Sequence, residues 1–213
     1  LGNMSVQQPK KVVLVGDFGV GKSTTLKQLC HRRFGAAVTQ ALDMQDKEFW
    51  VQNRRTKLTL QLWDTAGLEQ TDSLAENFFR HSAGVVLLFD TSKSVTLFDS
   101  LAETCRVETF RNLDEWYRRA TLEARDVQVL LLGNNFEGCE AAVSEDQAQE
   151  YCRRKGILYF SVSARNGTNI DEAFQALAEE IYKTEQEYAP VSEDIVETVT
   201  LDGQDANRRR GCC

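Results

Sequence analysis

Short apolar runs alternating with stretches of helical period set the rhythm of this chain. "KKVVLVGD" (10–17) is a β-branched run closed by glycine and predicts a buried strand. "KSTTLKQLCHRRF" (22–34) follows at helical period, with Leu26, Leu29 and Cys30 on one side. Residues 42–51 and "KLTLQLWD" (57–64) predict two further strands, the second alternating apolar and polar positions. "VVLLFD" (85–90), "VQVLLLGN" (127–134) and "ILYFSVSA" (157–164) are continuous apolar runs, the pattern of strands covered on both faces. "SEDQAQEYCRRKG" (144–156) begins with Ser144 and Gln147 at capping-box spacing and ends at Gly156, a natural helix stop. Residues 169–187 place Ile170, Phe174, Leu177 and Ile181 on one stripe. Strand alternating with helix predicts an α/β fold: a mostly parallel, doubly wound six-stranded sheet with helices on both faces. From about Thr184 the apolar period fades, so 9–183 reads as the folded domain and 184–213 as a flexible tail.

Composition narrows the function classes. A chain of 213 residues with 42% hydrophobic content can bury a full core. Its net charge of −7 argues against nucleic acid as a partner, and a run of three arginines, Arg208-Arg209-Arg210, stands near the end. No apolar run approaches the roughly 20 residues that span a bilayer, and no signal-peptide core opens the chain. Met4 reads as the natural start, with Leu1-Gly2-Asn3 an expression remnant. Without a secretory signal the cysteines are expected to stay reduced. Those at 30, 105, 139 and 152 are scattered as core or surface thiols, while Cys212 and Cys213 form a pair.

The chemistry begins where the first strand meets the first helix. "GDFGVGKS" (16–23) fits G-x-x-x-x-G-K-[ST], and the strand-to-helix setting is the one its mechanism requires. Gly16 and Gly21 permit the tight loop. The backbone N–H groups of Gly19, Val20, Gly21, Lys22, Ser23 and Thr24 are then expected to face phosphate oxygens, aided by the helix N-terminus. Lys22 is expected on the β- and γ-phosphates and Ser23 on magnesium. Asp64, ending the third strand, is expected to reach the magnesium shell from the opposite wall. Gly67 leaves a backbone N–H open to the γ-phosphate.

In order, "GDFGVGKS", Thr39, "LQLWDTAG" (60–67), "NFFRHSAGVVLLFDTS" (77–92), "LLLGNN" (130–135) and "FSVSARNG" (160–167) resemble a small Ras-superfamily GTPase. "LQLWDTAG", Phe78-Phe79-Arg80 and the final Cys212-Cys213 resemble the Rab branch most; a C-a-a-X prenylation box would need its cysteine at position 210, which is arginine. The resemblance implies a P-loop NTPase small G domain: a molecular switch of vesicle trafficking that binds GTP or GDP with magnesium and hydrolyses GTP to GDP. It places Ser23 and Thr39 on magnesium, Asp64 in its outer shell and Gly67 on the γ-phosphate. It sets Phe34 beside the base, Asn134 and Glu137 on the guanine edge, and the Ala164 N–H on its carbonyl, within the loop of Ser163 and Arg165. Implied partners are effectors at the switch regions, an exchange factor, a GDP-dissociation inhibitor, a prenylation escort, and a membrane reached through geranylgeranylated Cys212 and Cys213. The expected place is the cytoplasmic face of intracellular membranes, with a cytosolic pool, as a monomer.

Departures from the family pattern qualify the activity. Leu68 replaces the water-positioning glutamine, leaving that catalytic site degenerate. Phe18 stands where the family keeps a small side chain beside the γ-phosphate. The guanine motif reads Asn134-Asn135-Phe136-Glu137, the spacing from Phe34 to Thr39 is short, and extra chain lies near "LFDSLAETCRVET" (97–109). Weak guanine selectivity and very slow hydrolysis are expected. The competing expectation is a non-catalytic, membrane-tethered scaffold with constitutive nucleotide or none.

Overall fold

The computed structural model describes residues 8–33, 43–65, 78–92, 107–124, 126–136 and 139–188. The strands are β1 (Lys10–Val15), β2 (Asp43–Val51), β3 (Thr56–Asp64), β4 (Gly84–Asp90), β5 (Gln128–Asn134) and β6 (Leu158–Val162). They form one sheet in the order β2-β3-β1-β4-β5-β6. Only β2 runs antiparallel, pairing with β3, so the sheet is mostly parallel as the alternation predicts. Among the described residues four helices pack on it: α1 (Lys22–His31), α2 (Leu113–Glu123), α3 (Glu145–Lys155) and α4 (Ile170–Tyr188), with a further helical turn at 107–111. This is the sheet-and-helix arrangement of the P-loop small G domain.

Two cores explain the continuous apolar runs. One face of the sheet, with Val12, Leu14, Val86, Leu88, Leu130 and Leu132, meets Leu26 and Leu29 of α1 and the Ile170, Phe174, Leu177 and Ile181 stripe of α4. The alternate residues Val13, Val15, Val85, Leu87, Phe89 and Leu131 meet Leu113, Trp116 and Ala120 of α2 and Ala148, Tyr151 and Cys152 of α3. Period-two alternation thus loads both faces of β1, β4 and β5, and these central strands must be apolar nearly throughout. In β3 only Leu58, Leu60, Leu62 and Asp64 are buried, because the face carrying Thr59, Gln61 and Trp63 is only partly covered.

The helix signals act as their chemistry requires. Ser144 Oγ accepts from the Gln147 N–H at 3.2 Å while Gln147 Oε1 accepts from the Ser144 N–H at 3.0 Å, completing the capping box. Gly156 ends α3 in the left-handed region at φ 69°. The ends of β6 and α4 refine the periodicity. Strand β6 stops at Val162 because the Ser163 N–H donates to the Thr168 carbonyl and turns the chain. Helix α4 ends at Tyr188, one residue past the 169–187 stretch and five residues into the stretch read as tail, and a Lys10–Glu185 ion pair and a Thr184 hydroxyl donating to the Glu180 carbonyl help to hold its last turns. The C-terminal ends of β1, β3, β4, β5 and β6 share one edge, where sites form in open α/β sheets.

Candidate functional site

The loop after β1 is shaped by what lies beneath it. Gly16 has φ 143°, and a Cβ there would sit 2.3 Å from the Leu88 carbonyl oxygen on β4. Gly21 has φ 101°, and a Cβ there would sit 2.5 Å from Asn134 Nδ2. Both positions therefore exclude any side chain, so the loop follows its path only with glycine. Val20 is buried between them and anchors the loop in the core below α1.

Lys22 opens α1 and is only 3% exposed. Its Nζ donates to the Gly16 carbonyl at 2.9 Å and the Asp17 carbonyl at 2.8 Å, so the ammonium lies inside the ring formed by its own loop. Gly21, the N-cap, has no side chain to cap the first turn, and that turn carries no acidic residue. A helix start of this kind is positive and open to an anion. Ser23 and Thr24 are half-buried in the same turn, and Asp64, 1% exposed, ends β3 next to β1. Thr65 fastens that strand end by donating its hydroxyl to the Leu14 carbonyl at 2.8 Å. Phe18, by contrast, is 56% exposed at the rim.

Asn134 ends β5 and does more than the sequence suggests. Its amide donates to the Val20 carbonyl at 3.0 Å, and its Oδ1 accepts the Ala164 N–H at 2.9 Å. One buried side chain thus ties the loop after β1 to the loop after β6. The Ala164 N–H, expected on a guanine carbonyl, is engaged by Asn134 here. Ser163 is buried and its carbonyl accepts the Gly167 N–H, whereas Arg165 is exposed. Asn135 is exposed and its N–H donates to the Val162 carbonyl. Asn134→Ala leaves the Val20 carbonyl and the Ala164 N–H without this partner. The expected cost is about 2 kcal/mol, a Tm fall of roughly 4–8 °C by thermal denaturation.

The structure brings together Gly16, Phe18, Gly19, Val20, Gly21, Lys22, Ser23, Thr24, Asp64, Asn134, Ser163, Ala164 and Arg165 at the C-terminal edge of the sheet. Phe34, Thr39, Gly67, Leu68, Glu137, Cys212 and Cys213 lie outside the described residues. Three residues that motif reading passes over also meet the loop: Asp17 inside the motif, and Asn112 and Trp116, which donate to its carboxylate. Cys30 and Cys139 are half-buried free thiols, and burial pushes the Cys152 thiol up to about 12, which makes it inert. No helix among the described residues is long and apolar enough to cross a membrane.

Comparison with known proteins places these features. The Ras family model matches residues 11–183. Ras-related protein Rab7 of Cenchrus ciliaris is 33% identical over 217 residues, covering 95% of this chain and 96% of its own length. Ras-related protein RABG3d of Arabidopsis thaliana is 32% identical over 213 residues, covering 95% of each chain. Ras-related protein Rab7 of Pisum sativum is 31% identical over 216 residues, again covering 95% of each.

Proposed function

The chain belongs to the Ras family as a divergent Rab-like small GTPase, and from that premise we propose a GTP-binding switch of vesicle trafficking whose hydrolysis is very slow. The observation that carries the nucleotide reading is Lys22, buried and fixed on two loop carbonyls inside a cradle in which neither Gly16 nor Gly21 has room for a Cβ. The uncapped, acid-free start of α1 suits the phosphates of GTP or GDP. Phosphate oxygens are to meet the N–H groups of residues 19–24, and Lys22 the β- and γ-phosphates. The Ser23 hydroxyl and Asp64 carboxylate are hard oxygen donors of the kind magnesium takes, with Thr39 completing the set. When bound, magnesium neutralises charge on the β- and γ-phosphate oxygens. The Gly67 N–H is to sense the γ-phosphate and order the switches for effectors.

Base reading is the weaker half of the site. Asn134 keeps a second amide hydrogen for a base acceptor after serving Val20. Phe34 is to flank the base, and Glu137 to pair with the guanine N1–H and amino group from one methylene farther than aspartate. Asn135 is too short to cover the base as a lysine stem does. A second reading, a membrane-tethered scaffold without turnover, draws on Leu68, on exposed Phe18 and on this altered base loop. Calorimetric titration separates the two. Magnesium-dependent binding of GTP and GDP, tighter than that of ATP, supports the switch; no binding of either supports the scaffold.

Beyond α4, which takes in the first five residues of the 184–213 stretch, the rest of that stretch is proposed as the tether of the domain at 9–183. Cys212 and Cys213 are to carry two geranylgeranyl chains, since one lipid anchors marginally and two anchor stably, helped modestly by Arg208 to Arg210 on an anionic surface. A prenylation escort and a GDP-dissociation inhibitor would then handle the lipidated chain between cytosol and the cytoplasmic face of its membrane, and an exchange factor would reload it. Replacing both cysteines by serine is expected to move the protein wholly to the soluble fraction on fractionation. Retention on membranes would exclude this anchor.

A further inference from the structure

An acidic side chain in a loop built to hold anions is an electrostatic liability, and Asp17 is such a residue. Placed toward the phosphates, its carboxylate would repel them at short range. The structure turns it the other way. Asp17 Oδ1 accepts the Trp116 indole N–H at 2.8 Å, and Oδ2 accepts the Asn112 amide at 2.8 Å. Both donors come from α2 and its N-cap, roughly a hundred residues along the chain.

The two donors are committed to this contact. Trp116 is 7% exposed and packs in the core below α2, so its indole N–H is fixed in direction. Asn112 is the N-cap residue of α2, yet its side chain makes no capping hydrogen bond. An N-cap asparagine usually stabilises its helix by accepting from the first turn. Here its amide faces the loop instead. On the other side of Asp17, the backbone carbonyl accepts from Lys22 Nζ at 2.8 Å. A continuous path therefore runs from α2 through the Asp17 side chain to the Asp17 carbonyl, and on to the ammonium of Lys22.

We propose that Asp17 is a positioning residue for the nucleotide: clamped by Trp116 and Asn112, it fixes the loop carbonyl on which Lys22 rests. The proposal rests on the nucleotide-binding reading above and deepens it. The clamp holds the loop open in the shape the phosphates need, and it makes α2 part of the nucleotide site. Movement of α2 is thereby coupled to nucleotide release, and the Trp116 indole is a built-in reporter of the coupling.

The test is the release rate of a fluorescent GDP analogue from the full chain, with the Trp116 indole N–H resonance followed in parallel. Asp17→Ala removes both acceptors, and release is expected to be about tenfold faster, the worth of one hydrogen bond to a charged group. Asp17→Asn is expected to stay within about threefold of wild type, because its amide oxygen still accepts from Trp116 and the Asn112 amide can turn over to accept from it. Trp116→Phe added to Asp17→Ala should bring little further acceleration, since the clamp is already open. The indole resonance should shift in Asp17→Ala and be largely restored in Asp17→Asn. Release unchanged in Asp17→Ala, Asp17→Asn as fast as Asp17→Ala, or fully multiplicative effects of the two sites would each overturn the clamp. A wild type that holds no guanine nucleotide would overturn the proposed function and the clamp's role together, an outcome distinct from normal wild-type binding with an indifferent Asp17.

Discussion

Lys22→Ala is expected to abolish tight nucleotide binding, with affinity for GTP and GDP falling at least about a hundredfold, because each charge-assisted hydrogen bond to phosphate contributes roughly 1.5–3 kcal/mol. The ammonium is already buried and held on the Gly16 and Asp17 carbonyls, so it enters binding with little ordering left to do. Alanine supplies no charge, and the loop N–H groups alone must then balance the phosphates. Ser23→Asn is the companion change. It keeps Lys22 in place and removes a hydroxyl suited to magnesium, so it should weaken the triphosphate more than the diphosphate. Equal affinity of wild type and Lys22→Ala in calorimetry would mean that the phosphates lie elsewhere.

Leu68→Gln is expected to raise single-turnover GTP hydrolysis by about tenfold or more, a gain below the roughly 10²–10⁴ of a fully positioned proton-transfer group because the amide only orients the water. Leucine neither donates nor accepts a hydrogen bond, so in the wild type only backbone groups remain to place the attacking water. Wild-type turnover is accordingly expected at or below about 10⁻⁴ s⁻¹, the rate of unassisted Ras. Phe18 adds a separate obstacle. Its ring is exposed at the rim of the cradle, where an activating protein's arginine would have to enter. Such an arginine accounts for roughly 10³–10⁵ in rate, so blocking it would keep the proposed switch in its GTP form. Phe18→Ser should therefore add to the gain from Leu68→Gln. Rapid wild-type hydrolysis, or no gain from either change, would place the water under another residue, with Glu69 and Gln70 the nearest polar candidates.

Legibility in the sequence follows how local each determinant is. The strands were readable because burial on both faces forces continuous apolar runs, and α3 because Ser144, Gln147 and Gly156 act within their own helix. The shape of the loop after β1 was readable for the same reason: Gly16, Gly21 and Lys22 set it within one strand-to-helix turn. The tie made by Asn134 was not, since its partners Val20 and Ala164 are brought together only by the sheet order. Nor was the Asp17 clamp, whose donors stand on α2. That helix signals itself weakly, with Leu113, Trp116 and Ala120 its only buried residues in 11 positions.

The central claim, a guanine-nucleotide switch that turns over too slowly to empty itself, is tested most directly by the nucleotide that leaves the purified protein on denaturation. Identified by chromatography, it should be guanine nucleotide at about one per chain, with GTP in excess over GDP. Protein that releases no nucleotide, or an adenine nucleotide, would contradict the account.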